Sequence, residues 1–283
     1  MVRLSNTDDI PGIITLWKEA FGDTKEDICF FLDAHFKPEN TVVNDFDEKI
    51  TSVLFLLDGF MHINDCDYPS YYLYAACTLK EYRGRGQMAE LLDFATKTAQ
   101  NRKKYFICLK PAEESLFDYY SRFGYKTFFY KKTALFNCEE LKENEKNISE
   151  SSNISLSDIR NSFLLNFNYF KWDEHSVNYA AKQNEYYGGY TFKSCKGYIL
   201  YSVDKDVLTV KENTFTSDLF IDAIKTITQK HCLQNIKADF PFGFDMSDMI
   251  FETSRSGMIL PLNAQADSLI NSVDNAYLGL TLD

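Results

Sequence analysis

The sequence is short of the residues on which several common chemistries depend. Its four histidines (35, 62, 175 and 231) are scattered without ligand spacing, and its seven cysteines (29, 66, 77, 108, 138, 195 and 232) are odd in number and include no C-x-x-C pair. Neither a zinc site nor a disulfide framework is expected, and the thiols read as small buried apolar groups. Long apolar runs are missing too: none approaches the roughly 20 residues that cross a bilayer, and Met1-Val-Arg-Leu-Ser5 lacks the apolar stretch of a signal peptide. A cytoplasmic protein with no membrane partner is the expectation, which leaves the sequons at Asn147 and Asn153 without meaning. Positive charge is in deficit. Lys and Arg number 30 against 41 Asp and Glu, a formal net charge of −11. So acidic a chain repels phosphate backbones at long range, and no nucleic-acid partner is expected.

Aromatic residues, by contrast, are plentiful. With 24 Phe and 18 Tyr among 283 residues, 45% of them hydrophobic, the chain has material for two cores rather than one. Between about residues 137 and 158 charged and then Ser-rich sequence replaces large apolar groups, which places a domain boundary there. Upstream, Thr7-Asp8-Asp9 starts a helix in which Ile10, Ile13, Ile14, Trp17 and Phe21 recur at three and four residues, and Gly22 stops it. A second helix fits 26–36. Strands fit 40–44, 49–57 and 71–79, with turns at 45–48 and 65–70. Next come a helix carrying Met88, Leu91, Leu92, Ala95 and Ala99, a strand at 105–109, a helix at 112–123 and a final strand at 127–136. The second half repeats part of this order, with helices at 158–170 and 173–187, strands at 190–193, 197–203 and 207–211, a helix at 217–230 and a strand at 235–240. The layout is α/β, a sheet covered by helices.

Chemistry concentrates in Cys77-Thr78-Leu79-Lys-Glu-Tyr-Arg83-Gly84-Arg85-Gly86-Gln87-Met88, a strand end that runs through a glycine loop into a helix. Glycine lets backbone approach a ligand, and the first-turn N–H groups of a helix point out of its positive end. Such a geometry binds phosphate. No G-K-[ST] follows, which excludes a Walker A loop, and the third glycine of G-x-G-x-x-G falls on Ala89, which excludes the dinucleotide fingerprint.

What remains resembles the GNAT superfamily of acyl-CoA-dependent N-acyltransferases, whose signature is [Q/R]-x-x-G-x-[G/A]. Arg83 and Gly86 match it, and Met88 departs from its last position, as in the similar Eis family. A second element, Leu116-Phe-Asp-Tyr119-Tyr120-Ser-Arg-Phe123-Gly124-Tyr125, resembles the family's Y-x-x-x-G-[F/Y]. The resemblance implies a GNAT fold, a mixed, mostly antiparallel sheet flanked by helices, in two tandem copies. Residues 1–138 would be the acyl-CoA-binding catalytic domain, 139–154 a linker, and 155–283 a degenerate GNAT-like domain in which Glu212-Asn-Thr-Phe-Thr216 replaces the glycine loop.

By the same resemblance, acetyl-CoA is the co-substrate. Backbone N–H groups of Arg85, Gly86, Gln87 and Met88 would hold its pyrophosphate beside Arg83 and Gly84, and the strand end at Cys77, Thr78 and Leu79 would pair with the pantetheine arm and offer an oxyanion donor. Tyr120 would protonate the leaving thiolate; Tyr119 competes for that role, but only Tyr120 stands four residues before Gly124. Cys77 as a nucleophile would need a neighbouring base, and its motif has none, so a packed thiol is expected. Trp17, Phe21, Phe30 and Phe31 lie on the helices that border the family's acceptor pocket. No motif position supplies a general base, and the Eis-type role of a terminal carboxylate is not carried over to Asp283. The leading function is acetyl transfer to a primary amine, on a small molecule or a peptide, with the acidity favouring a cationic acceptor. A non-catalytic acyl-CoA sensor is the alternative, and a peptidoglycan-type aminoacyl transferase on tandem GNAT-like domains is a third reading, disfavoured by the intact CoA signature.

Overall fold

A computed structural model of the chain describes residues 1–141, 148, 150, 151, 155–246 and 249–282; the expected linker at 139–154 falls largely outside them, as does Asp283. In chain order the elements are β1 (Val2–Leu4), α1 (Ile10–Phe21), α2 (Lys25–His35), β2 (Thr41–Phe46), β3 (Lys49–Ile63), β4 (Cys66–Thr78), α3 (Gln87–Asn101), β5 (Phe106–Leu109), α4 (Ser115–Ser121) and β6 (Lys126–Asn137). They continue with α5 (Leu156–Leu164), β7 (Tyr169–Lys171), α6 (Glu174–Tyr186), β8 (Tyr190–Ser194), β9 (Gly197–Asp204), β10 (Val207–Asn213), α7 (Ser217–His231), β11 (Asn235–Pro241), β12 (Glu252–Pro261) and α8 (Ala264–Ile270). Among the described residues no helix is long and apolar enough to cross a membrane.

The chain forms two compact units, interleaved in sequence. The first comprises Met1–Phe60, Tyr68–Thr127 and Met258–Ser272; the second comprises Met61–Asp67, Phe128–Gly257 and Val273–Asp283. In the first, the strand order is β1-β2-β3-β4-β5 followed by the last four residues of β12. β4 and β5 are parallel, while β1 with β2, β2 with β3 and β5 with β12 are antiparallel. The second unit orders its strands β8-β9-β10-β11-β6, with β10 parallel to β11 and the other neighbours antiparallel. Each unit therefore holds an antiparallel pair, a parallel neighbour and an antiparallel closing strand.

That closing strand corrects the sequence reading. Residues 127–136 were expected to complete the first sheet, yet Lys131–Asn137 pairs with β11 in the second unit, and the place beside β5 is taken by Met258–Pro261, where the sequence reading has no strand. Apolar alternation specifies a strand and its buried face, not its neighbour. The polar Glu252-Thr-Ser-Arg-Ser start of β12 hides the short apolar stretch that does the pairing.

Local rules account for most other elements. Asn6 caps the turn before α1, Thr24 and Asp27 form a capping box at α2, and Gly22 closes α1 in the left-handed conformation. Ile13, Leu16 and Trp17 of α1 are buried, each contributing roughly 1.5–3 kcal/mol of apolar burial. The β2–β3 and β3–β4 hairpins turn on Asp47-Glu48 and Asn64-Asp65, whose φ values of 52°, 59°, 49° and 61° mark two-residue primed turns. The turn expected across 65–70 is thus only Asn64-Asp65, and Cys66–Ser70 belongs to β4 despite its Asp, Pro and Ser. Likewise the helix expected to 170 ends at Leu164, and Tyr169–Lys171 is a strand whose Phe170 carbonyl accepts a 3.0 Å bond from Arg160 Nη1.

Candidate active site

The first unit contains a fork. The parallel ladder between β4 and β5 runs from Ser70 opposite Phe106 to Tyr72 opposite Cys108 and stops there, while β4 continues to Thr78. Three residues past the last rung, Ala75 has a φ of 48°, a left-handed conformation that costs a non-glycine residue roughly 1–2 kcal/mol. Tyr71 and Leu73 face the core beneath α3. Beyond Ala75, Ala76 packs against that same core, and the Thr78 hydroxyl reaches Ser52 Oγ at 2.9 Å. The step from 73 to 76 is one residue longer than strand alternation allows, which makes Ala75 a bulge that turns β4 away from β5. Backbone groups of β4 on the β5 side are left without ladder partners from that strand. Nothing in the sequence marks this bulge, because Ala is neither Gly nor Asn.

β4 ends in the glycine loop. Gly84 and Gly86 have φ of 75° and 83°, and a Cβ at either would meet nothing within 4 Å, so the loop needs them for left-handed backbone and the space above them is open. Gly86 gives α3 no side-chain cap, so the positive end of a 15-residue helix faces outward. Arg83 donates from Nε to the Thr78 carbonyl at 3.0 Å, which ties the loop to the strand end. The Arg85 guanidinium lies 5.2 Å from the Tyr82 ring centroid, and Lys49 sits 5.6 Å from the same ring while bonding Glu81 at 3.0 Å. Gln87 points inward, where its Oε1 accepts from Ser52 Oγ at 2.9 Å; Ser52 has one proton to give, so Thr78 donates to Ser52. Met88 packs against the core beneath α3. Leu79 is buried and its N–H is already given to the Thr51 carbonyl at 3.0 Å, which takes it out of the set of backbone donors facing a ligand.

Tyr120 lies on the buried face of α4, with ring centroids 5.4 Å from Tyr119 and 5.7 Å from Tyr125. Burial holds its phenol well above the ordinary range, and the neighbouring Tyr119 and Cys77 push the same way. Burial also pushes the Cys77 thiol up to about 12, so it is a packed, protonated thiol and not a nucleophile. Tyr119 is more exposed and leans on Phe123 at 5.2 Å. The fold thus brings together Cys77, Thr78, Arg83, Gly84, Arg85, Gly86, Gln87, Met88 and Tyr120 in one unit. The sequence reading gave no role to Ser52 or Ala75, and Tyr125 entered it only as the last position of the Y-x-x-x-G-[F/Y] element. Trp17 and Phe31 are core residues that contact Phe55 and Tyr74, and the Trp17 indole donates to Asp23 at 2.7 Å, whereas Phe21 is half exposed. Among the described residues, no three His, Cys, Asp or Glu side chains gather as metal ligands.

In the second unit the corresponding passage, β10 into α7, is closed. β10 also shifts register between Val210 and Glu212, but the segment after it carries no left-handed glycine, and Glu212, Asn213, Thr214 and Phe215 are buried. Asn213 folds back on Phe215, accepting from its N–H and donating to its carbonyl, both at 3.0 Å. The Glu212 carboxylate meets Arg160 Nε at 3.0 Å and takes the Tyr198 hydroxyl on its other oxygen. It is internal and neutralised, and does not stand in a solvent cleft to repel phosphate.

Residues 1–128 match the family model described as an acetyltransferase (GNAT) domain. No curated protein matches the chain. Among solved structures, a probable N-acyltransferase from Enterococcus faecalis V583 superposes with a TM-score of 0.77 at 16% identity, over 94% of this chain and 73% of that one. A GCN5-related N-acetyltransferase from Kribbella flavida gives a TM-score of 0.73 at 13% identity, over 94% and 73%. Eis1 from Mycobacterium abscessus gives 0.72 at 10% identity, over 94% and 75%. At these identities the likeness is one of fold, and it extends over both halves of the chain.

Proposed function

We propose, from the premise that residues 1–128 are a GNAT acetyltransferase domain, that the protein transfers an acetyl group from acetyl-CoA to a primary amine. The observation that carries this is the convergence in one unit of an open fork, an uncapped glycine loop and a buried phenol. Phosphate oxygens fit the space above Gly84 and Gly86, where the free N–H groups of Arg85 to Met88 and the positive end of α3 attract them, with Arg85 held in place by Tyr82. The released edge of β4 past Tyr72 is a strand edge without its β5 partner, suited to the amides of a pantetheine arm, and the backbone at the bulge offers an N–H to the thioester oxygen as negative charge develops. Holding the amine against the thioester supplies much of the rate by proximity.

Tyr120 serves as the acid. Attack of the neutral amine forms the C–N bond and breaks the C–S bond; the electron pair leaves on sulfur, the phenol proton goes to that thiolate, the proton that nitrogen sheds on becoming an amide passes to solvent, and Tyr120 takes a proton back from solvent. Burial keeps the phenol protonated well into the alkaline range, so the donor is ready at neutral pH. The acceptor is a cationic small molecule or peptide, drawn by the net charge of −11. The second unit, with its loop closed on itself, adds no CoA site.

Incubation with acetyl-CoA and a panel of amines, followed by free thiol, tests the reading. Acceptor-dependent thiol release is expected, and Tyr120→Phe should lower kcat by about 10²-fold with little change in KM for acetyl-CoA. CoA binding without any acceptor-dependent release would favour a sensor, and an unchanged kcat in Tyr120→Phe would remove that residue from the chemistry.

A further inference from the structure

Ser52 breaks the pattern of the row it stands in. Leu54 and Leu56, two and four residues on along β3, face the core beneath α3, and alternation puts Ser52 on that same face, where it is fully buried. A valine suits such a strand position better, so the hydroxyl calls for an explanation. Its two bonds supply one. Ser52 Oγ lies 2.9 Å from the Thr78 hydroxyl at the end of β4 and 2.9 Å from Gln87 Oε1 at the first residue of α3, and both partners are buried with it. Since Gln87 Oε1 only accepts, the protons run from Thr78 to Ser52 and from Ser52 to Gln87. The two ends of this chain of bonds differ in what else holds them. The strand end is fixed by its backbone: the Leu79 N–H goes to the Thr51 carbonyl, and the Thr78 carbonyl takes Arg83 Nε, each at 3.0 Å. The helix start has less. Gly86 contributes no capping side chain, and a second polar tie from α3 to the sheet, Asn44 Nδ2 to Glu90 Oε2, is three residues further along and 3.5 Å long.

We infer that Ser52 is a positioning residue for the phosphate end of CoA: by holding the Gln87 side chain inward it sets the rotation of the first turn of α3, and with it the direction in which the N–H groups of Gln87 and Met88 point. The inference rests on the reading of the glycine loop as the pyrophosphate site. Donors fixed in place before the ligand arrives give their full attraction to it, whereas donors that must first be ordered give back part of it. Without the Ser52 hydroxyl, Gln87 Oε1 is a buried acceptor that has lost its donor. It regains one by turning toward water, and the first turn of the helix follows. The strand end stays where its backbone bonds put it, so the pantetheine side of the site is unaffected.

The test titrates CoA and phosphate-free pantetheine into the full chain by calorimetry, for the parent, Ser52→Ala, Gln87→Met and the double variant. Methionine keeps the length and helix preference of glutamine and removes the acceptor. Each single variant should bind CoA about fivefold more weakly or worse, with pantetheine affinity within twofold of the parent. The double variant should lose no more than the worse single one, because the same bond is removed either way. Equal weakening of CoA and pantetheine is what a general loss of structure produces, and it overturns the proposal. Losses that multiply in the double variant overturn it as well, since the two residues would then act separately. CoA affinity within twofold of the parent in Ser52→Ala sinks the Ser52 role alone, whereas a parent that does not bind CoA removes the reading of the loop and Ser52 with it.

Discussion

Arg160 and Glu212 are wholly buried and satisfy one another inside the second unit. Arg160 Nη1 reaches the Phe170 carbonyl, and the Tyr198 hydroxyl covers the far carboxylate oxygen, but Arg160 Nη2 has no partner among the described residues. Desolvating two charges for an incompletely satisfied network makes the pair costly to keep and more costly to break. Arg160→Ala should lose about 3–5 kcal/mol in urea unfolding, since it leaves a buried carboxylate unpaired. The double variant Arg160→Met with Glu212→Leu should recover most of that loss, which a simple count of lost contacts would not predict. Buried phenols set a second residue-scale behaviour. Tyr120, Tyr125, Tyr198 and Tyr277 are all held above their ordinary value by burial. A group whose folded pKa is raised leaves stability intact below its unfolded pKa of about 10 and withdraws it above, because only the unfolded chain then releases the proton. The thermal midpoint should be level to about pH 9 and fall steeply beyond pH 10.

At the level of elements, the passage from β4 through the loop into α3 is where the CoA site is proposed, and its parts can be separated by substitution. Gly86→Ala meets no protein atom and costs the fold only the left-handed backbone, roughly 1–2 kcal/mol, but its methyl enters the space proposed for phosphate, so CoA affinity should fall severalfold. Gly86→Glu sets a carboxylate at the same open spot, where it competes with phosphate for the helix end. Calorimetry should show CoA affinity lowered at least tenfold with the melting transition within a few degrees of Gly86→Ala. The shape of this passage was legible beforehand, because Gly84 and Gly86 are the residue type that a left-handed loop between strand and helix requires, and α1 and α2 announce themselves through caps and three-four spacing. The bulge was not legible. Ala75 adopts its left-handed φ under tertiary constraint, against its own preference, and a fork between parallel strands is a property of two segments more than 30 residues apart. The break between α5 and β7 was hidden for a related reason, since Phe167, Tyr169 and Phe170 continue an apolar pattern while the backbone is claimed by Arg160 and the Tyr277 carbonyl.

For the whole molecule, the interleaving of the two units decides what can fold alone. A division near residue 138 follows composition, yet the first unit holds Met258–Ser272, and its core includes Met258, Leu260 and Leu262. Without them β5 is a bare sheet edge over an opened core, and Lys131–Asn137 has lost β11, its partner in the second unit. Three buried apolar side chains at roughly 1.5–3 kcal/mol each amount to a large part of a typical domain's 5–15 kcal/mol. A chain ending at residue 138 should therefore show no cooperative melt and no CoA binding, although it contains every residue of the glycine loop and Tyr120. Residues 1–128 joined through a flexible Gly/Ser linker to 258–272 should recover both, with one CoA bound per chain as for the full protein. A cooperative, CoA-binding 1–138 would mean that the strand beside β5 is dispensable and that composition, after all, drew the boundary that matters.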